Sequence, residues 1–180
     1  MPYIYFDAEQ YEKYQVLTAN DIQALKNGAT LLSVGIGPGD YEEYLIKSLG
    51  VPPSSIHCAD LALHQKWSSH IHHSFDICDP WPPLKHLYDY ILFGQVIGIS
   101  AHARGYTNSI AMDNHVCNVI NEAAPWLQSG GQIVVFDTTI QTMADPWHIP
   151  QDQLWNKVAN SIKGKITRNR KEWFVVNITV

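Results

Sequence analysis

The sequence contains no apolar run near the roughly 20 residues that cross a bilayer, so a membrane-spanning helix is not expected. Its opening, MPYIYFDAEQYEKYQ, has no basic segment followed by an apolar one, and no secretory leader is read there. Basic charge is in short supply, with 12 Lys and Arg against 17 Asp and Glu, and no stripe of it follows a phosphate backbone. Nucleic acid as the main partner is therefore disfavoured. Cysteine is scarce too. Cys58, Cys78 and Cys117 form an odd set without CxxC spacing, which suits buried, unreactive thiols in a reducing compartment better than a disulfide framework. These absences lead to the expectation of a soluble, cytoplasmic protein with neither nucleic acid nor membrane as partner.

What is present is a chain of 180 residues, 46% apolar, enough for one sizeable core and too short for two ordinary domains. A single domain over 1–180 is expected, with 1–28 as an N-terminal cap segment and 29–180 as the core. Ala19 to Leu25 has a short helical pattern after a Thr18 or Asn20 cap, ended by Asn27-Gly28. The apolar run Leu31 to Ile36 fits a parallel strand buried on both faces. Asp40 to Leu49 reads as a helix with Tyr41, Tyr44, Leu45 and Leu49 on one face, stopped by Gly50 and Pro52-Pro53. Further strands are read at Ser55 to Ala59, Ser74 to Ile77, Tyr88 to Phe93 and Gln132 to Phe136. Between them fall a short helix at Leu61 to Ser68, a Pro-rich bend at 79–83, a loop from Gly94 to Thr107, and a long helix. That helix carries Ile110, Cys117, Ile120, Ala124 and Leu127 and closes at Gly130-Gly131. Gln151 to Ile162 reads as the last helix, and Lys165 to Arg168 with Glu172 to Val180 as a terminal antiparallel hairpin.

This alternation predicts an α/β fold: a doubly wound, mostly parallel seven-stranded sheet with helices on both faces and a C-terminal antiparallel hairpin. Ligands of such sheets bind beyond the C-terminal strand ends, where the strand order reverses. The turn after the first strand, LLSVGIGPGDYEEYL, places Gly35, Gly37 and Gly39 there. Such a turn is either a tight strand-to-helix connection or a place where a ligand presses against main chain. Asp60, at the end of the second strand, stands where a carboxylate accepts hydrogen bonds from ribose hydroxyls. Asp40 separates two nucleotide readings. A dinucleotide fingerprint needs a small residue where the helix start meets pyrophosphate, and a carboxylate there repels it. A sulfonium ligand carries no phosphate. Asp40 is also favoured at a helix start by the dipole, whatever the ligand.

With these segments in order, the chain resembles the class I S-adenosylmethionine-dependent methyltransferases. GIGPG at 35–39 looks like the family's first motif, CADLA at 58–62 like the acidic end of its second strand, and FDICDPWP at 75–82 like its third-strand segment. DYILFGQVI at 89–97 resembles the fourth-strand motif, APWLQSGGQIVVFD at 124–137 the helix, double-glycine turn and fifth strand, and KEWFVVNITV at 171–180 suits the final strand. The resemblance implies S-adenosyl-L-methionine as cofactor. It implies that Gly35, Ile36, Gly37 and Gly39 approach the cofactor's methionine and ribose parts, that Asp60 takes the ribose hydroxyls and that Leu61 packs on the adenine. Asp76 would accept the adenine amino group, Ile77 would offer its amide to the ring, and Gln95 would lie near the methionine part. The family often has Asp or Glu two residues before the first glycine, whereas this chain has Ser33.

The chemistry implied is methyl transfer to a small-molecule acceptor at nitrogen, oxygen or carboxyl. Displacement at a sulfonium methyl has a good leaving group, so in-line positioning supplies much of the catalysis. A general base is needed only where the acceptor must lose a proton. His102 is the candidate base or else an exposed loop histidine; His148 and His115 are weaker candidates, and Arg104 is a candidate for holding a substrate carboxylate. His70, His72 and His73 alternate on a strand without a flanking carboxylate, and no metal is expected. The N-terminal aromatics Tyr3, Tyr5, Phe6, Tyr11 and Tyr14 either cap the site, with Tyr11 and Tyr14 touching substrate, or pack on the core. The small lid suggests a small substrate or a homodimer whose partner subunit completes the pocket. Two other readings stay open: S-adenosylmethionine binding without methyl transfer, and a nicotinamide-dependent oxidoreductase, which Asp40 disfavours.

Overall fold

The structure, a computed structural model, describes residues 7–62, 64–83, 86–106, 109–137, 151–170 and 175–180. Helix α1 (Ala8–Lys13) opens the described chain; Asp7 caps it and Gln10 completes a reciprocal capping box. Helix α2 (Ala19–Lys26) repeats the device with Thr18 and Asp21, in agreement with the cap read from the sequence. Strand β1 (Leu31–Val34) feeds the glycine turn and α3 (Asp40–Lys47), followed by β2 (Ile56–Asp60), β3 (His72–Ser74) and β4 (Tyr88–Gly94). The remainder is α4 (Ile97–Ala103), α5 (Ser109–Ala123), β5 (Leu127–Phe136), α6 (Gln151–Ser161), β6 (Lys165–Arg170) and β7 (Val175–Thr179).

The seven strands form one sheet in the order β3-β2-β1-β4-β5-β7-β6. The first five are mutually parallel, and β7 runs antiparallel to both β5 and β6. This is the doubly wound, mostly parallel sheet the sequence predicts. Side chains alternate across a strand, so each strand feeds two cores. Leu32, Val34, Ile91, Phe93, Ile133 and Val135 face α4, α5 and α6, whose Ile97, Val116, Ile120 and Trp155 close over them. Leu31, Tyr90, Leu92, Val134 and Phe136 face α1, α2 and α3 through Tyr11, Leu25, Tyr41 and Leu45. The Pro-rich bend contributes Trp81, which joins Trp126 and Phe93 in the first of these cores.

Several boundaries differ from the sequence reading. The third strand lies at His72–Ser74, upstream of Ser74 to Ile77, with His72 and His73 in register with Cys58 and Ala59. Extended chain stops soon after because the Asp76 carboxylate turns back to accept the Cys78 amide at 2.9 Å. Helix α5 ends at Ala123, where Pro125 imposes a short 3-10 turn, and the double glycine lies inside β5. There Leu127 opposes Tyr88 and Gln132 opposes Tyr90, so the intervening residues bulge out of register. Ile110 is 72% exposed and lies off the packed face of α5. The segment read as a loop from Gly94 to Thr107 contains α4, held at its start by the buried Asp137 carboxylate on the Gly98 amide at 2.8 Å. Among the described residues no helix is long and apolar enough to cross a membrane.

Candidate functional site

The strand order reverses between β1 and β4, and both strands point their C-terminal ends to the same side of the sheet. A cleft of about 280 Å³ opens there, lined by the glycine turn, Ser33, Glu42, Asp60, Gln95 and Tyr11. Through Gly35, Asp60, Val96 and Ile99 it continues into a second hollow of about 190 Å³ lined by Leu61, Phe75, Asp76, Ile77 and Arg104. The two hollows make one elongated groove across the ends of β1, β2 and β4 with Asp60 at its middle.

The turn itself explains the glycines. Gly35 has φ +70, and a Cβ on it would collide with the Val96 side chain, so the absence of a side chain lets α4 approach β1. Gly37 has φ +51, lines the cleft, and would project a Cβ into open space. Its amide donates to Asp60 Oδ2 at 2.9 Å, while Oδ1 accepts the Ala62 amide at 3.3 Å. Asp60 thus ties the turn to the end of β2 and keeps unused lone pairs on both oxygens. Beside it Leu61 is 68% exposed, an isolated apolar surface at the rim of the second hollow.

At the far end, Asp76 Oδ2 accepts from Arg104 Nη2 at 2.8 Å, with Asp79 Oδ1 at 3.5 Å from the same nitrogen. The Cys78 amide, followed by Arg104, holds the Asp76 carboxyl below its usual range and so keeps it ionised. At the near end the Ser33 hydroxyl donates to Glu42 Oε1 inside the cleft. Glu42 is 5% exposed, and burial pushes its carboxyl pKa upward against the pull of that hydroxyl. Tyr11 stacks on Tyr41 at 4.4 Å, meets Phe136 edge-on, and brings its hydroxyl against Gly94. Burial, and then Glu42, raise the pKa of Tyr11, so it is a neutral donor at physiological pH.

Of the residues singled out from sequence, Ser33, Gly35, Ile36, Gly37, Gly39, Asp60 and Gln95 all line the first hollow, and Tyr11 joins them. Leu61, Asp76 and Ile77 line the second. Gln95 adopts φ +60 and is buried, its amide held by the Phe136 carbonyl at 2.8 Å. Three candidates stand away from the first hollow. His102 is on the exposed side of α4, whereas Ile99, Ser100 and Ala103 are the residues that α4 turns to the groove. Tyr14 packs on Phe136, 5.7 Å between ring centres, and does not line the cleft. Arg104 is engaged with carboxylates at the Asp76 end, away from Tyr11 and Gln95. His115 is buried against Ser100, 2.8 Å from its hydroxyl, with burial lowering its pKa. Tyr3, Tyr5, Phe6 and His148 lie outside the described residues.

Sequence reasoning passes over Glu42. The available signal is its place three residues before Leu45, on the side of α3 that packs inward. Asp40, Glu42 and Glu43 crowd the first turn of α3, with Lys66 bridging Asp40 at 3.4 Å and Glu43 at 2.9 Å. His73 of β3 and His57 of β2 serve the core, His73 Nε2 and His57 Nδ1 sharing the Tyr88 hydroxyl at 2.8 and 2.9 Å, whereas His72 is exposed. Among the described residues no group of three or more His, Cys, Asp or Glu is arranged to hold a metal ion.

No protein-family model matches the sequence, and no curated protein matches it. Solved structures do resemble it in three dimensions. A putative sarcosine dimethylglycine methyltransferase from Galdieria sulphuraria aligns at 15% identity and TM-score 0.58, over 89% of this chain and 63% of its own. DesVI from Streptomyces venezuelae aligns at 13% identity and TM-score 0.57, over 98% and 99%. The N-methyltransferase NodS from Bradyrhizobium japonicum, solved with S-adenosyl-L-homocysteine, aligns at 14% identity and TM-score 0.51, over 93% and 85%. The strand order, the single antiparallel strand β7 and these neighbours agree: the chain has the fold of the class I S-adenosylmethionine-dependent methyltransferases.

Proposed function

We propose that this chain binds S-adenosyl-L-methionine in the groove at the ends of β1, β2 and β4 and transfers its methyl group to a small-molecule acceptor. The observation that carries the reading is the continuity of that groove. Its cradle, where Gly37 leaves the space of a side chain open, leads past the Asp60 carboxylate to a hollow walled by exposed Leu61, Ile77 and an ionised Asp76. An amino-acid portion, a ribose and an adenine ask for that succession of surfaces. In this reading Asp60 accepts the ribose hydroxyls, Leu61 and Ile77 flank the ring, and Asp76, kept charged by the Cys78 amide and then by Arg104, accepts the exocyclic amine. The cofactor supplies an activated methyl on a sulfonium; the protein's part is to hold it and to exclude water with Tyr11. NodS is an N-methyltransferase and the Galdieria protein a putative methyltransferase, which supports the same class of reaction here.

The acidic start of α3 favours this ligand over a dinucleotide. A pyrophosphate at that helix end would meet Asp40, Glu42 and Glu43 against Lys66 and Lys47, both already engaged with those carboxylates, whereas a cationic ligand gains from them. With His102 turned to solvent and Tyr11 neutral, the favoured acceptors are groups that arrive deprotonated, such as a free amine or a carboxylate. Calorimetry with S-adenosylmethionine, S-adenosylhomocysteine and NAD tests the binding half: the two adenosyl compounds should bind and NAD should not. A labelled-methyl assay against a metabolite panel tests the transfer half. Binding without transfer to any acceptor would leave the chain a cofactor-binding protein that does not methylate.

A further inference from the structure

Glu42 is the least explained group in the groove. It is a carboxylate with 5% exposure, and among the described residues its side chain makes one side-chain hydrogen bond, to Ser33, and no ion pair. Burying an ionisable group without a counter-charge is costly and is usually relieved by a cation or by protonation. Among the described residues no side-chain cation pairs with it: Lys66 acts on it only at a distance and is spent on Asp40 and Glu43 at the rim. The space beside Glu42 is the first hollow, where Gly35, Gly37 and Gln95 are also found. A ligand with a positive charge at that end would meet a buried carboxyl group that, among the described residues, is paired with no side-chain cation. The same place matters for the Ser33 departure. The Ser33 hydroxyl of β1 reaches across and fixes an acid on the following helix.

Resting on the proposed cofactor site, we infer that Glu42, oriented by Ser33, is the counter-ion for a primary ammonium group at the amino-acid end of the bound ligand, restoring from α3 the charge that β1 lacks. The neighbouring groups leave Glu42 as the one that responds. Tyr11 of α1 and Tyr41 of α3 are both held neutral by burial, and the Cys58 thiol of β2 is pushed up to about 12. Asp40 and Lys66, which also act on Glu42, offset one another at the rim. In the empty groove, burial keeps the proton on Glu42 to higher pH than an ordinary glutamate. When the ammonium enters, that proton leaves to solvent and a carboxylate–ammonium pair forms, so binding is coupled to release of protons wherever the empty protein still holds one there. The ammonium belongs either to the cofactor or to an amine substrate beside it, and the two sources separate by ligand.

The test uses two adenosyl thioethers, S-adenosylhomocysteine, which carries the ammonium, and 5′-methylthioadenosine, which lacks the whole amino-acid part. Glu42→Gln keeps size and hydrogen bonding and removes the charge. It should weaken S-adenosylhomocysteine roughly 10- to 100-fold, the worth of a charge-assisted bond, and leave methylthioadenosine within about twofold. Ser33→Ala should show a smaller loss of the same selectivity. In the wild-type protein, calorimetry across a pH series in buffers of different ionisation enthalpy should find protons released with S-adenosylhomocysteine and not with methylthioadenosine. The inference is overturned if Glu42→Gln binds both compounds and every amine substrate as the wild type does, if it loses both compounds equally, or if the wild type releases no protons with any ammonium ligand across the pH series. Should wild-type affinity for S-adenosylhomocysteine survive in Glu42→Gln while an amine substrate is lost, the ammonium is the substrate's and the assignment to the cofactor falls. Failure of both compounds to bind the wild type would instead sink the proposed function.

Discussion

At the residue scale, the glycine turn holds two positions of the same residue type with different jobs. Gly37→Val introduces a side chain into open space within the cleft, so the protein should fold, with about 1–2 kcal/mol of strain from the left-handed backbone, and lose cofactor binding. Gly35→Ala directs its methyl into Val96 and should lower stability by roughly 1–3 kcal/mol beyond that strain; Val96→Ala in the same molecule should recover part of it. Urea titration alongside calorimetry reads both, and equal stability of the two single variants would contradict the assignment. Asp60→Ala should cost about 1.5–3 kcal/mol of cofactor binding, since it removes charge-assisted bonds, and it also frees the Gly37 amide. Unchanged affinity would remove Asp60 from the site. That Gly35, Gly37 and Asp60 share one cleft was legible from sequence, because each stands at the C-terminal end of a parallel strand, whereas Asp76, two residues past β3, came from the family resemblance alone. Glu42 was not legible, since its importance comes from burial and from Ser33 nine residues earlier, neither of which a local pattern reports.

At the scale of elements, the strands that are apolar on both faces were readable and the marginal ones were not. The runs at Leu31 and Tyr88 declare themselves because a buried parallel strand has no polar face to disguise it. Strand β3, mostly polar and at the sheet edge, takes its place from pairing with β2, so its sequence misplaced it by about two residues. Helix α4 was hidden for a similar reason: its N-terminal partner, Asp137, is 39 residues further along the chain. The terminal hairpin also holds the N-terminal cap. Arg168 of β6 donates to the carbonyls of Gln15 and Val16, both at 2.6 Å, and to Asn177 Oδ1 at 3.0 Å. That clamp fixes the chain just after α1 and with it Tyr11 over the cleft. Arg168→Ala should destabilise the protein by roughly 2–3 kcal/mol and raise hydrogen exchange through residues 8–17 more than in β5. Uniform exchange across the chain would mean that the guanidinium anchors no particular segment.

Across the whole molecule, three buried groups set how stability changes with pH, and their signs oppose. His57 is held below its ordinary pKa by burial and then by the nearby His86 and His73, and His115 is lowered by burial. In the unfolded chain both take up a proton as pH falls below about 6.5 while the folded protein resists, so each contributes stability above that pH that is lost as pH falls toward its folded value. Glu42 works the other way. Its folded pKa is raised, so the folded protein keeps a proton that the unfolded chain gives up above about 4.5, and stability is lost as pH rises through the folded value. Where these windows overlap, the two histidines raise stability with pH and Glu42 subtracts from the rise, each by at most about 1.4 kcal/mol per pH unit. Glu42→Gln should therefore give a cofactor-free protein whose stability climbs more steeply from pH 5 to 6.5 and exceeds the wild type at neutral pH, while His57→Gln should flatten the climb. Thermal unfolding across that range measures both. A Glu42→Gln variant less stable than the wild type at pH 7 would show that the carboxylate strengthens the empty fold, and its retention in the groove would then need no ligand to explain it.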